Sequence, residues 1–107
     1  MADGWSIKGA IRRKQMEASR RASERKALKD VPQATAIITN PTHFAVALQY
    51  DPASSAAPVV LAMGKGPIAK EVTRRGRRAG VMTLRVPPLA RALYFYGAIG
   101  REIPEQL

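Results

Sequence analysis

The chain has 107 residues, 46% apolar and only 6% aromatic, with no cysteine and a single histidine, His43. This excludes a disulfide scaffold, a thiolate metal site, a thiol nucleophile and a His-rich metal centre, and no cofactor is expected. Lys and Arg number 18 against 8 Asp and Glu, a net +10, and no apolar run suits a membrane span or a signal peptide.

One small domain with an arm is the expected organisation, in a soluble, cytoplasmic chain. The charge is uneven. Residues 1–29 hold nine basic and three acidic groups, net +6, and residues 30–107 hold nine and five, net +4. Such a balance favours an anionic partner: nucleic acid, anionic lipid or an acidic protein face.

Residues 7–29 are rich in Arg, Lys, Ala, Glu, Met and Leu and contain no proline, so they predict a helix. Ile7, Ile11, Met16, Ala18, Ala22 and Leu28 form no broad apolar stripe. The helix is therefore expected to be a solvated arm rather than part of the core. Asp30-Val31-Pro32 should end it, because a residue before proline avoids the helical region. The division read from this is a basic helical linker arm over residues 1–30 and a folded domain over 31–107.

Thr35 to Thr39 is short and β-branched, and predicts a strand. Asn40-Pro41-Thr42-His43 is a turn signal. Phe44 to Tyr50 predicts a second strand, with Phe44, Val46, Leu48 and Tyr50 on one face. A loop over residues 51–58 leads to a third strand, Val59 to Met63, apolar throughout and so buried on both faces. Pro67 suits the first position of a helix whose end is crowded by Arg74, Arg75, Arg77 and Arg78, with Ile68, Val72 and Ala79 on one side. Gly80 suits the left-handed stop. Val81 to Val86 predicts a fourth strand, and Pro87 opens a last helix with Leu89, Ala92, Leu93 and Tyr96 on one face. The fold class expected is α/β: a small four-stranded mixed sheet packed with helices, preceded by a long charged helical arm, with a right-handed crossover between strands three and four.

The chemistry centres on Asn40-Pro41. An asparagine amide nitrogen can attack its own backbone carbonyl, closing a succinimide and breaking the bond to the next residue. The competing route, deamidation, needs the backbone N–H of that next residue. Proline has none, so cleavage alone remains open. A tight turn between paired strands can hold Asn40 in the attacking geometry and store strain. His43 or a water can take the amide proton. Taken alone, Asn-Pro is an ordinary turn dipeptide; its surroundings make it specific.

Those surroundings are Val31-Pro32-Gln33-Ala34, Ile37 through Leu48 with Tyr50-Asp51, Ala57-Pro58-Val59-Val60, Pro87 through Tyr94, and Ile99 through Pro104. They resemble the cytoplasmic domain of the export-apparatus switch proteins of flagellar and virulence type III secretion systems. Ile7-Lys8-Gly9 with Arg12-Arg13-Lys14-Gln15 resembles the family's linker helix. The resemblance implies a domain that cuts itself between the Asn and Pro of an Asn-Pro-Thr-His motif, once per molecule rather than as a turnover enzyme. Its two pieces stay together through one sheet, and the cut lets the apparatus switch from early to late export substrates. Carried over, Asn40 is the nucleophile, Pro41 supplies the leaving nitrogen, and Thr42 and His43 shape the turn.

The implied partners are other export-apparatus components, export substrates and chaperones, and a length-sensing protein. The implied location is the cytoplasmic face of the bacterial inner membrane. Arg12, Arg13, Lys14, Arg20, Arg21, Arg74, Arg75, Arg77 and Arg78 are the candidates to face a partner or an anionic membrane. The family's membrane part is missing, so an excised domain is expected in preference to a short soluble paralogue. The alternative is a small basic nucleic-acid-binding protein. Against it, the strands carry Ile, Val and Ala rather than an aromatic platform, and no nucleic acid is expected. Gly64-Lys65-Gly66 lacks the spacing of a phosphate-binding loop and reads as a strand-to-helix turn.

Overall fold

A computed structural model describes residues 6–54 and 56–107. The Met1-Ala2 start and Ser55 of the expected loop lie outside these residues. Ser6 opens the first helix, α1 (Ile7–Ala27), its hydroxyl accepting from the Gly9 N–H at 2.9 Å. That satisfies one donor the helix cannot bond internally. A 3-10 helix (Leu28–Gln33) follows directly, with Pro32 inside it. Thus Asp30-Val31-Pro32 tightens the helical path instead of ending it. A 3-10 turn tolerates proline, whose fixed φ suits its geometry.

Then come β1 (Ala36–Asn40), β2 (Phe44–Gln49), β3 (Val59–Lys65), α2 (Pro67–Arg78), β4 (Met82–Arg85) and α3 (Pro87–Tyr96). The sheet order is β3-β2-β1-β4. β1 is antiparallel to β2, β2 to β3, and β4 lies parallel to β1. β3 and β4 therefore run the same way, and α2 crosses over between them past β2 and β1. The expected mixed four-stranded sheet with helices is what the chain forms.

The alternation along each strand divides the core between two faces. On one, Ile37, Ala45, Ala47 and Ala62 meet Ile68 and Val72 of α2 and Leu28 and Val31 of the 3-10 helix. On the other, Ile38, Val46, Leu48 and Val60 meet Ala90, Leu93 and Tyr94 of α3. Gly76 lets α2 lie close to the sheet, since a Cβ there would run into Cδ1 of Ile37. Gly80 takes the expected left-handed stop at φ 77°.

Four expectations are corrected. The arm is not wholly solvated: Glu24, Ala27 and Leu28 are buried where α1 meets the core, while Arg12 to Met16 are exposed. On α3 the buried face is Ala90, Leu93 and Tyr94, and Tyr96 is 77% exposed, because the helix is oriented by the ring of Tyr94 rather than Tyr96. On α2 the buried side ends at Gly76, and Ala79, beyond the last helical turn, faces solvent. Tyr50, expected in the second strand on one face with Phe44, Val46 and Leu48, falls past the strand's end and is exposed.

Candidate functional site

β1 is an interior strand, and Asn40 is its last residue, opposite Phe44 across the hairpin. The Asn40 carbonyl accepts from the His43 N–H at 2.9 Å, closing a four-residue turn. Pro41 takes the second place, where its fixed φ fits, and Thr42 takes the third with φ 71°. Proline second and positive φ third define a type II turn, whose third place is normally glycine. Thr42 is β-branched, so this conformation is strained by about 1–3 kcal/mol. Pro41, Thr42 and His43 are exposed, and Asn40 is half-buried.

The neighbourhood holds the turn on three sides. The Val86 N–H donates to the Thr39 carbonyl at 3.0 Å, fixing the strand just before Asn40. The Gly66 N–H donates to the His43 carbonyl at 2.9 Å, tying the turn to the β3–α2 corner. Phe44, the next residue, sits against Tyr94 and Phe95, with ring centres 5.1 Å and 5.4 Å away. Arg91 lies over the Phe95 ring at 5.1 Å.

Two grooves flank the turn. One, about 420 Å³, is lined by Arg21, Glu24 and Arg25 of α1, by Thr42 and His43, and by the corner around Gly66. The other, about 350 Å³, runs between Pro41 and Thr42 and the Lys70, Thr73 and Arg77 side of α2. At the first groove Glu24 is 2% exposed, and its Oε2 accepts from the Tyr94 hydroxyl at 2.7 Å. Burial pushes the Glu24 carboxyl above its ordinary range, against the pull of the Tyr94 bond and of Arg20, Lys65 and Arg21. Burial and the same bond push the Tyr94 hydroxyl up to about 12.

The structure brings Asn40, Pro41, Thr42 and His43 together as one turn. Of the basic candidates it brings Arg21 of α1, and Arg74 and Arg77 of α2, to the grooves beside that turn, and Arg12, Arg13, Lys14, Arg20, Arg75 and Arg78 line neither groove. Arg12, Arg13, Lys14, Arg20 and Arg21 are exposed along α1, and Arg21 pairs with Glu17 at 3.6 Å. On α2, Arg74 and Arg75 are engaged by Glu71 at 2.6 Å and 2.7 Å, whereas Arg77 and Arg78 are exposed. Those two bonds hold the Glu71 carboxyl down at about 2.

Sequence reading missed Glu24 and the Phe44–Tyr94–Phe95 cluster. Glu24 and Tyr94 lie 70 residues apart, and a single Glu in a charged helix carries no sign of burial. Phe44, opening the strand after the turn, was the one available cue. Both faces of β2 are buried, so the middle of the sheet offers no stacking platform for bases. Among the described residues no group of acidic and His side chains is placed to hold a metal, and no helix is long and apolar enough to cross a membrane.

Residues 4–107 match the model of the FlhB HrpN YscU SpaS family. The flagellar biosynthetic protein FlhB of Salmonella typhimurium is 50% identical over 101 residues, covering 94% of this chain and 25% of that protein. The crystal structure of the cytoplasmic domain of FlhB from Shewanella putrefaciens superposes with a TM-score of 0.71 at 38% identity, over 77% of this chain and 63% of that one. An EscU C-terminal domain solved with an asparagine-to-alanine substitution gives 0.70 at 28% identity, over 75% and 80%. The chain spans about a quarter of the length of the curated relatives it matches.

Proposed function

The chain belongs to the FlhB HrpN YscU SpaS family of flagellar and type III export-apparatus proteins, and from that premise we propose that it is a self-cleaving switch domain. In this reading residues 31–107 carry the switch and residues 1–30 are the linker arm. Cleavage falls between Asn40 and Pro41. The observation that carries it is the strained turn: an Asn-Pro bond with Thr42 at φ 71° immediately behind it.

The chemistry is intramolecular. Nδ2 of Asn40 attacks the Asn40 carbonyl carbon and a C–N bond forms, closing a five-membered imide. The bond from that carbon to the Pro41 nitrogen breaks. The amide proton leaves Nδ2, through water or His43, and a proton reaches the Pro41 nitrogen as it departs. The turn supplies proximity, which replaces the search an untethered nucleophile would need. Water then opens the imide.

The fold suits a cut that does not release the pieces. β1 belongs to residues before the cut, and both its neighbours, β2 and β4, belong to residues after it. Leu28, Val31 and Ile37 are likewise packed against Ala45, Ala47 and α2. The exposed Pro41-Thr42-His43 segment is then free to rearrange while the sheet persists, which supports a change in what the export apparatus accepts, from early to late substrates. Substrates, chaperones and a length-sensing protein are the proposed partners. The exposed basic residues of α1 are proposed to meet an anionic membrane surface, where each Lys or Arg contributes about 1 kcal/mol.

The deciding measurement is the denatured mass of the purified chain beside Asn40→Ala and Pro41→Ala. The expected wild-type species are 1–40 and 41–107, with the first transiently lighter by one water, and an intact Asn40→Ala chain. A wild-type chain that stays whole for days at neutral pH rules the self-cleavage out.

A further inference from the structure

We infer that Glu24 and Tyr94 are positioning residues for cleavage at Asn40–Pro41, coupling the linker helix to the reactive turn through the ring of Phe44. The inference rests on the self-cleavage reading above. It starts from a misfit. α1 is charged and mostly solvated, yet Glu24 is 2% exposed. Packing alone would favour an apolar residue there, because a buried carboxyl must be matched by a partner. The partner is Tyr94, from the last helix of the chain, with the hydroxyl donating to Oε2 at 2.7 Å.

From Tyr94 the contact continues to the turn. Its ring meets that of Phe44 with centres 5.1 Å apart, and Phe95 closes the cluster edge-on to both, at 5.4 Å from each. Phe44 is the register partner of Asn40. Glu24 also lines the same groove as Thr42 and His43. Three contacts thus connect α1 to the bond that breaks.

The strained conformation of Thr42 persists only while its surroundings hold it. The Gly66 and Val86 N–H groups hold the backbone on either side. Phe44 is the third support, and it stands only as firmly as Tyr94 behind it. Without the Glu24 bond Tyr94 and Phe44 gain freedom, Thr42 relaxes, and Asn40 leaves its attacking geometry. Docking of the linker helix therefore sets how fast the chain cuts itself.

The test follows cleavage of the full 107-residue chain made by cell-free synthesis, by mass against time, for the parent, Glu24→Leu, Tyr94→Phe, the pair together, and Glu24→Gln. Glu24→Leu and Tyr94→Phe are each expected to slow cleavage about three- to tenfold. The pair should be no slower than the slower single, because both remove one connection. Glu24→Gln keeps an acceptor for the hydroxyl and should cleave within about twofold of the parent, a rescue that filling the space alone would not give. In an Asn40→Ala background the same variants are read by hydrogen exchange at the His43 N–H. Protection should fall for Glu24→Leu and Tyr94→Phe and hold for Glu24→Gln. Parental rates and protection in the first two, or a Glu24→Gln chain as slow and as unprotected as Glu24→Leu, overturn the inference. A parent that never cleaves sinks the self-cleavage reading instead, and the exchange data then decide the coupling on their own.

Discussion

Two tight turns stand side by side and reach a positive φ by opposite routes. At the β3–α2 corner the residue is Gly66, at φ 58° and ψ −126°, with open space where a Cβ would go. At the β1–β2 hairpin it is Thr42, at φ 71°, with a β-branched side chain. One hydrogen bond, from Gly66 N–H to His43 carbonyl, joins them. The corner adopts its shape at little conformational cost and so can act as an anchor. The hairpin adopts its shape against its own preference and stores the difference. The lesson is that strain sits at the turn proposed to react, and glycine sits where the chain must only turn.

The largest expected effect breaks the anchor. Gly66→Val, in an Asn40→Ala background that keeps the chain whole, should lower stability by about 2 kcal/mol and the melting temperature by about 10 °C. The site is roomy, so that loss would be backbone conformation alone. An unchanged melting temperature would show that the corner is no anchor. Next, Thr42→Gly relieves the strained member. It should raise stability by about 1 kcal/mol while slowing cleavage, a pairing of opposite signs read by thermal melts and by mass. Equal or faster cleavage would remove strain from the mechanism.

The supports behind the turns sharpen the contrast. Tyr94 backs the hairpin, and its hydroxyl is raised from an ordinary 10.0 to about 12. A raised value in the folded state means the stability it brings is complete below pH 10 and lost as the pH climbs through about 12. Cleaved protein on a sizing column should therefore shed its 1–40 piece across that window, and Tyr94→Phe should remove the step. Glu24 is also raised, by burial, so the net stability it brings falls as the pH rises above its ordinary 4.5, although the Tyr94 bond itself favours the ionised carboxylate. The smallest effect is behind the corner. Glu71 with Arg74 and Arg75 lies at the surface of α2, so Glu71→Gln should leave melting and cleavage nearly unmoved. A clear slowing would place α2's charges in the reaction.

Much of this was legible because local chemistry was in charge. Pro67 and Pro87 stand at the starts of helices, Gly80 at a stop, and the alternation of Phe44, Val46 and Leu48 selects the α3 face of the sheet. The Asn-Pro turn followed from the same rules, and the chemistry proposed for it rests on proline's missing N–H. What escaped was set by distant partners. Pro32 tolerates a tight helical turn because Val31 beside it is fully buried against α2. Glu24 is buried because a tyrosine 70 residues later reaches it. The register of α3 depends on which of Tyr94, Phe95 and Tyr96 meets Phe44, a choice made by the assembled sheet and not by the helix.

The place of β1 in the sheet also orders events during synthesis. Its hairpin partner β2 follows within a few residues, but Gly66, Val86 and Tyr94, which hold the turn, leave the ribosome later. A nascent chain ending before β4 can pair β1 with β2 and still lack two of the contacts that keep Thr42 strained. Under the proposed self-cleavage, the Asn40–Pro41 bond is thus silent in an unfinished molecule, and its opening would mark the moment the last helix has been made and has docked, a checkpoint on complete manufacture written into the topology.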